Sequence, residues 1–430
     1  MDGRPHAALI GRFNMTTSAL GSNVAAATLN EALFGSRPAA PAGLETPTLI
    51  GLMLDSGKGI SDLIFSPGRP PQVERHGDLA GVSVPDLPLL KPNDTARIAS
   101  DLIGGHEHAL RTLQAEGACD LSYSMPPRAR FRVNIFRQRG TFAIVMRVIE
   151  GKIPTLAELN LPQSIAAAAS LKNGIVLVTG PTGSGKSSTL AALIDLINET
   201  RAEHILTIED PIEFLHHHKK GTVHQRELHT DTPTFALALR AALRQAPKVI
   251  LVGEMRDRET IEVALEAAET GHLVLSTLHT IDASKTVDRI IGVFPKNEEK
   301  AIRTRVAQSF RFIVSQRLIP LGDGNGRIAA IEILKSTMRT REYIEKGEAE
   351  GKSLIDAMEQ GDQDGMQTFD TVIERLIRDG VVSIETALPY ATNQHNLLLK
   401  ISDLKGAPPP PRETSAPARD ETSMLDLIEP

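Results

Sequence analysis

The fold of this chain is decided by GPTGSGKS at residues 180–187, a stretch that matches the pattern G-x-x-x-x-G-K-[ST] at every position. It follows the apolar run IVLVT at 175–179 and precedes the helix-forming run STLAALI at 188–194. A strand that enters a glycine-rich loop and a helix that leaves it form the arrangement in which such loops cradle phosphate groups. A plain glycine-rich turn is the alternative, and the strand-loop-helix context argues against it.

The stretch 180–187 therefore predicts a nucleotide site for ATP with Mg²⁺. Its glycines allow successive backbone N–H groups to turn toward a phosphate, and the following helix adds the positive end of its dipole. We expect Lys186 to reach the β- and γ-phosphates and Ser187 to offer its hydroxyl to a magnesium ion. The predicted nucleotide-binding residues are Gly180, Thr182, Gly183, Ser184, Gly185, Lys186, Ser187 and Ser188.

Length and composition indicate a globular protein of two or three domains, with 430 residues, 41% hydrophobic and 23% charged. A net charge of −6 argues against a large basic surface, so we expect no nucleic-acid partner. The one cysteine, Cys119, cannot form an internal disulfide, which suits a reducing compartment. No apolar run approaches the about 20 residues that cross a bilayer. These features predict a cytoplasmic protein without a transmembrane segment, at most peripheral to a membrane.

Composition shifts divide the chain into five parts. Residues 1–46 are predicted to form a flexible arm, of which 18–33 could become a helix if a partner covered it. Residues 47–150 are predicted to form a small α+β domain that includes an antiparallel hairpin. Residues 151–165 indicate a linker, and residues 166–404 the main domain. The proline-rich tail, 405–430, is predicted to be disordered.

The main domain alternates strands and helices, and its strands are continuous apolar runs. Such strands imply a parallel sheet with helices on both faces, so the fold class is α/β. In open sheets of this kind ligands bind at the carboxyl ends of the strands, where Gly180 lies. The predicted strands are 175–179, 204–208, 248–252 and 273–277, and the predicted helices are 187–198, 234–244, 260–270 and 283–293.

Carboxylates follow two of these strands. Glu209, Asp210 and Glu213 follow the strand 204–208, and Glu254 follows 248–252. Phosphoryl transfer to water needs a cation on the phosphate oxygens and a group that orients the attacking water. Glu254 is the candidate for orienting water, and Glu209 and Glu213, with Asp210, are candidates for the magnesium shell beside the P-loop serine. A solvated strand-end carboxylate is the alternative for each residue taken alone.

Histidines give a weaker signal. His279 follows the strand 273–277 and could sense the γ-phosphate or cap a helix. His272 lies in a Thr-Gly-His turn and, from the residues alone, fits a structural role. The run HHH at 216–218 fits a polar loop better than a metal site, because adjacent histidines rarely face one ion together.

Arginines are concentrated on the predicted hairpin of the N-terminal domain, with no obvious acidic partner nearby. For any one of them a solvated strand face is the simpler interpretation. As a set they suit a surface that faces a polyphosphate, because arginine stabilises charge on a transferred phosphoryl group. They are Arg128, Arg130, Arg132, Arg137, Arg139 and Arg147.

Four motifs resemble, in order and spacing, those of the type II/IV secretion ATPase superfamily. They are the Walker A motif at 180–187, the Asp box TIEDPIEF at 207–214, the Walker B motif VGEMRD at 252–257 and the His box TGHLVLSTLHT at 270–280. Further stretches are similar to the PilT/PilU branch, the motors that retract type IV pili. These are SDLIFSPGRPP from 61, RFRVN from 130, HQRE from 224, AAETGH from 267 and GMQTFD from 365.

The resemblance implies a RecA-like P-loop NTPase core with a smaller N-terminal α+β (PAS-like) domain. It implies a homohexamer in which this domain sits on the core of the next subunit, and an ATPase that drives pilus retraction at an inner-membrane platform protein. Arginines of the N-terminal domain would complete the site of hydrolysis. The residues implied to act in hydrolysis are Glu213, Glu254, His272, His279, Arg132 and Arg147.

Two departures from the family pattern leave alternatives open. Family members often have an acidic pair before the Walker B strand, where residues 245–248 are QAPK, and residues 301–310 differ from the retraction-linked motif AIRNLIAESL. The chain could therefore retract pili alone or assist a second pilus ATPase, and a nucleotide-binding regulatory subunit is a further possibility. Extension and secretion ATPases typically carry a tetracysteine zinc module, which a chain with one cysteine cannot build.

Overall fold

A computed structural model describes residues 17–35, 44–149, 151–322 and 326–404, and it confirms the α/β class with a smaller α+β domain in front. The main core of each domain is built on a β-sheet of its own. The predicted disordered tail at 405–430 lies outside the described residues. Within the described ranges, no helix combines the length and apolar character needed to span a bilayer.

The N-terminal domain is a six-stranded antiparallel sheet covered by helices. Its strand order is β3-β2-β1-β6-β5-β4, and the hairpin expected from the alternating sequence is confirmed as β5 and β6. The apolar side chains of this sheet pack with those of the helices into one cluster. The elements are α2 (Thr46–Asp55), β1 (Ile60–Phe65), β2 (Gln72–Arg75), β3 (Asp78–Gly81), α3 (Pro92–Ile103), α4 (Glu107–Glu116), β4 (Ala118–Met125), β5 (Ala129–Gln138) and β6 (Thr141–Ile149).

The arm expected to be flexible over residues 1–46 contains a helix, α1 (Thr17–Phe34). Ala26 is buried in the core of the N-terminal domain, and Leu29 and Leu33 pack against that core. The ring of Phe34 lies 4.8 Å from that of Phe142 on β6. The sequence predicts this helix only if a partner covers it, and the covering surface is the chain's own N-terminal domain.

The main domain contains a seven-stranded sheet of order β13-β12-β7-β11-β10-β8-β9. Six of its strands, β7 to β12, run parallel, and β13 pairs antiparallel with β12 at one edge. The four predicted strands are present, whereas β9, β12 and β13 were not predicted. The strands are β7 (Gly174–Thr179), β8 (His204–Glu209), β9 (Thr222–Glu227), β10 (Val249–Val252), β11 (Leu273–Leu278), β12 (Phe310–Pro320) and β13 (Arg327–Lys335).

Helices cover both faces of this sheet, and each face has its own apolar cluster. A third cluster holds the C-terminal helices against β12 and β13. The helices are α5 (Lys186–Thr200), α6 (Phe235–Ala242), α7 (Arg258–Glu269), α8 (Ala283–Gly292), α9 (Glu299–Ser309), α10 (Met338–Lys346), α11 (Leu354–Glu359), α12 (Phe369–Arg378), α13 (Ile384–Ala387) and α14 (Gln394–Lys400).

Candidate active site

The P-loop connects β7, which is buried at every position, to the first turn of α5. Gly183 and Gly185 have φ angles of +77° and +86°, a backbone region that residues with a Cβ rarely adopt. A Cβ on Gly180 would lie 2.4 Å from the carbonyl oxygen of Gln316 on β12. The glycines are thus required by the backbone path and by the close approach of a neighbouring strand, and they leave the loop N–H groups at the helix amino terminus.

Lys186 begins α5 and is almost completely buried under the loop. Its ammonium donates hydrogen bonds to the carbonyl oxygens of Gly180 at 3.0 Å and Pro181 at 2.9 Å. Burial lowers the pKa of Lys186, and the charges of Glu213 and Glu254 act in the opposite direction. A buried cation that faces two carboxylates and the loop carbonyls is well placed to bind phosphate oxygens.

The carboxyl ends of β8, β10 and β11 meet the P-loop in a cleft of about 1030 Å³ between the two domains. Parallel strands all end at this edge of the sheet, which is why residues far apart in sequence come together here. The cleft is lined by most of the predicted residues: Thr182, Gly183, Gly185, Lys186, Ser187, Ser188, Glu209, Asp210, Glu213, Glu254, His279 and Arg132.

Glu254 directly follows Gly253 at the end of β10, and its side chain is 18% exposed. One carboxylate oxygen lies 2.7 Å from Nε of Arg256, and the other lies 3.5 Å from Nε2 of His279. Burial is the main cause that lowers the pKa of His279, followed by the charge of Lys186, so this ring is neutral at pH 7. Glu254 therefore faces the cleft beside a neutral imidazole.

Glu209 lines the cleft but is held in place by its neighbours. Its Oε1 accepts hydrogen bonds from Oγ1 of Thr207 at 2.6 Å and Nε2 of Gln225 at 3.0 Å. Burial raises the pKa of Glu209 to about 7 in spite of these donors. A carboxyl group that is half protonated at neutral pH is a weaker candidate for the magnesium shell than Glu213, which is exposed in the same cleft.

The residues at the loop fit a magnesium ion bound with nucleotide. Mg²⁺ keeps several waters and takes few protein oxygens, usually from a hydroxyl or a carboxylate. The cleft offers the hydroxyl of Ser187 together with the carboxylates of Asp210, Glu213 and Glu254. Across the described ranges no group of three or more His, Cys, Asp or Glu side chains could hold a metal ion. The fit is thus to an ion that the phosphates would share.

The N-terminal domain supplies the opposite wall of the cleft. Arg132 on β5 and His106 and His108 at the start of α4 all line it. Arg132 is half exposed and lies 4.0 Å from the nearest carboxylate oxygen of Asp120 on β4. Because this wall belongs to the same chain as the P-loop, no second copy is needed to bring the Arg132 guanidinium to the cleft.

Gly180 and Ser184 of the predicted P-loop set, and two of the predicted catalytic residues, are not among the side chains that line this cleft. Arg147 on β6 pairs with Asp62 of β1, with 3.1 Å between Nε and Oδ1. His272 precedes β11, and its Nδ1 lies 3.0 Å from the carbonyl oxygen of Ala267. The six residues of β11, at about 3.3 Å each, put His272 some 20 Å from the strand end that carries His279. The spacing within the His box therefore places the two histidines at opposite ends of β11.

The hairpin arginines have acidic partners that the sequence did not reveal. Arg128 pairs with Asp55 of α2, and Arg130 pairs with Glu227 at the end of β9. The expectation of an unpaired arginine face was wrong for these two residues and for the β6 arginine that pairs with Asp62. Each partner lies on another element and far away in sequence, so no local pattern indicates it.

Glu227 is the main site residue that sequence reasoning missed. It is 4% exposed, and its Oε2 accepts hydrogen bonds from Oγ of Ser122 at 2.9 Å and from Arg130. The same oxygen accepts the backbone N–H of Ile212 in the Asp-box loop at 3.0 Å. The HQRE stretch at 224–227 was the signal, since it ends a strand beside the Asp box, but it gave no indication of the partner.

A pair of histidines adds a second contact between the domains. The rings of His108 on α4 and His229, just after β9, stack 4.1 Å apart with an angle of 6° between their planes. Burial, followed by the charge of His229, lowers the pKa of His108. Both rings line the cleft, so the side of the cleft near β9 is closed by residues from both domains.

The chain is similar to known proteins over most of its length. Residues 125–358 match the family model described as type II/IV secretion system protein. The chain is 43% identical to the type IV pilus retraction ATPase PilT of Pseudomonas aeruginosa, over 80% of this chain and 98% of that protein. It is 39% identical to the type IV pilus ATPase PilU of the same organism, over 83% and 91%. A crystal structure of the pilus retraction motor PilT with bound ADP superimposes with a TM-score of 0.72 at 40% identity, covering 81% of this chain and 98% of that one.

Proposed function

This chain belongs to the type II/IV secretion system protein family, and on that premise we propose that it is an ATP-hydrolysing motor that drives type IV pilus retraction. Its relative PilT carries that activity in its name, and the two chains align over nearly the whole of PilT. The resemblance to the PilT/PilU branch, based on motifs spread from residue 61 to residue 370, is confirmed by these alignments. The chain is thus an ATPase with a nucleotide site at its P-loop.

The observation that carries the proposal is the convergence of three kinds of group in one cleft. A buried lysine under a glycine loop, a strand-end carboxylate and an arginine from the opposite wall all line this cleft. Phosphoryl transfer needs positioning and charge stabilisation rather than covalent chemistry, and these groups supply both.

Each group has a distinct part in the proposed reaction. Lys186 turns from the loop carbonyls to the β- and γ-phosphate oxygens when ATP enters. Glu254 orients the attacking water, and neutral His279 beside it holds or relays a proton. Arg132 stabilises the negative charge that develops on the transferred phosphoryl group. Arg256 does not obstruct Glu254, because its side chain is 72% exposed and such ion pairs contribute little.

Magnesium is the cofactor that this donor set suits. Ser187 would hold it from the first turn of α5, with Glu213 acting through water. The ion would neutralise charge on the β- and γ-phosphate oxygens. We assign no place in its shell to Glu209, because a carboxyl with a pKa of about 7 is already committed to Thr207 and Gln225.

The test of the proposal is ATP turnover by the full-length protein and its Glu254→Gln variant. We expect the variant to bind ATP as the wild type does and to lose about 100-fold or more in kcat, the usual effect of removing a positioned base. The matched control is Glu385→Gln, which neutralises an exposed carboxylate on α13 and should leave kcat unchanged. Full turnover by the Glu254 variant would reject the role of this residue.

A second candidate function is favoured by the similarity to PilU. At 39% identity over 91% of PilU, the chain could be an accessory ATPase that works with another pilus motor. Turnover and pilus retraction should be measured with and without a second motor from the same cell. Retraction by this chain alone assigns the main motor role, whereas activity only in the presence of the second motor assigns the accessory role.

The proposal includes a homohexamer at the cytoplasmic face of the inner membrane, in contact with a pilus platform protein. It is supported by the family and by the resemblance of the domain arrangement to that of the ADP-bound motor. Light scattering of the purified protein with nucleotide should give the mass of six chains. A mass that stays at one chain across micromolar concentrations would contradict the ring.

A further inference from the structure

We infer that Glu227 and Arg130 are a positioning pair for ATP hydrolysis, which fixes the N-terminal wall of the cleft relative to the Asp-box loop. The inference rests on the proposed ATPase function and assigns to it two residues that do not touch the reacting groups. The positioning role is inferred from the segments that meet at the buried carboxylate of Glu227.

The Glu227 carboxylate joins three separate segments. From the N-terminal domain, Ser122 of β4 and Arg130 of β5 donate to its Oε2. From the main domain, the backbone N–H of Ile212 donates to the same oxygen at 3.0 Å. One oxygen atom therefore sets the distance between the sheet edge of one domain and the Asp-box loop of the other.

Two of the three segments held by Glu227, β5 and the Asp-box loop, carry groups that we place in the reaction. Arg132 is two residues after Arg130 on β5, and alternate residues of a strand point to the same face. Glu213 directly follows Ile212. A shift at the Glu227 carboxylate would thus move the Arg132 guanidinium and the Glu213 carboxylate relative to each other and to the P-loop.

Both charged side chains of this contact are largely buried. The side chains of Glu227 and Arg130 are 6% and 15% exposed, so water screens their interaction little. Removing one partner while the interface stays closed would leave the other charge buried without compensation. The stacked rings of His108 and His229 form a second contact between the two domains.

The experiment compares Glu227→Gln, Arg130→Gln and the double variant in the full-length protein with MgATP. We expect kcat to fall at least about 10-fold in each single variant, with KM for ATP and the affinity for a fluorescent ADP analogue changed less than about 3-fold. The double variant should be no slower than either single variant, because both residues act through the same contact. Hydrogen exchange at the amide of Ile212 should become faster in all three.

Two further variants separate positioning from folding. In the double variant neither charge is left buried without a partner, so it should keep the wild-type thermal unfolding midpoint while remaining slow. Asp370→Asn is the matched control, because Asp370 is also buried and accepts the backbone N–H groups of Thr392 and Asn393 in the C-terminal helices. It should lower the unfolding midpoint without changing kcat.

The outcomes distinguish this inference from the proposed function. A wild-type protein that does not hydrolyse ATP would overturn the function itself. An active wild type with equally active, folded Glu227 and Arg130 variants would overturn only the positioning role. Losses that multiply in the double variant, or that appear in affinity rather than kcat, would also overturn it.

Discussion

The two walls of the cleft are built on different principles. The P-loop wall consists of strand ends from one buried parallel sheet, where β7 and β11 are buried at every position. The N-terminal wall is one edge of an antiparallel sheet, held to the core near the cleft by the Glu227 carboxylate and a histidine stack. A wall fixed by a core suits ground-state binding of the nucleotide, and a wall held by a few contacts suits a group needed only during the reaction.

This difference predicts how variants on the two walls divide between affinity and rate. We expect groups of the P-loop wall to contact phosphates in both the bound substrate and the transition state, so their loss should weaken binding. Arg132 on the N-terminal wall is expected to act mainly on charge that develops during transfer, so its loss lowers kcat. Variants of the P-loop wall should therefore change the affinity for ATP, and variants of the N-terminal wall should change kcat.

The largest effect is expected for Lys186→Ala. Removing a buried, charge-assisted phosphate donor should weaken ATP binding about 100-fold, equivalent to about 2.7 kcal/mol. Equilibrium titration with a fluorescent ATP analogue measures this directly. Affinity close to that of the wild type would mean that the P-loop wall does not provide the binding energy, and the comparison between the walls would fail.

A smaller effect, on rate alone, is expected for Arg132→Ala. We expect kcat to fall about 10- to 100-fold, within the range for removing a group that stabilises the transition state, with KM nearly unchanged. Arg147→Ala is the informative companion, because the side chain of Arg147 pairs with Asp62 and does not line the cleft. It should change kcat less than about 3-fold. Equal losses in the two variants would restore the family-based assignment of both arginines.

The smallest expected effect concerns the buried carboxyl group of the P-loop wall. Folding raises the pKa of Glu209 to about 7, so the folded state holds this proton more tightly than the unfolded chain. The resulting stabilisation is present below the ordinary pKa of about 4.5 and is lost as the pH rises through about 7. Glu209→Gln removes this dependence. The unfolding midpoint of the variant relative to wild type should therefore rise between pH 5 and pH 8, and a constant difference would contradict the shifted pKa.

Particular residues show how far sequence reasoning reaches into this site. Lys186 was predicted from the P-loop pattern, and Glu254 and His279 were predicted because each follows a recognisable strand. All three line the cleft. Glu227 was missed because its partners Ser122 and Arg130 lie 105 and 97 residues earlier in the chain. Helix α1 was underestimated for the same reason, since the surface that covers it belongs to elements formed later in the sequence.

The sequence by itself determined the phosphate-binding chemistry, because a strand, three glycines and a helix start are local features that fix one backbone path. Tertiary structure alone decided which arginine faces that chemistry. Arg132 and Arg147 are direct partners on neighbouring strands, so the alternation of residues cannot distinguish them. The edge of the N-terminal sheet that docks on the core brings β4 and β5 to the cleft and leaves β6 inside the sheet, and this docking depends on contacts between residues distant in sequence.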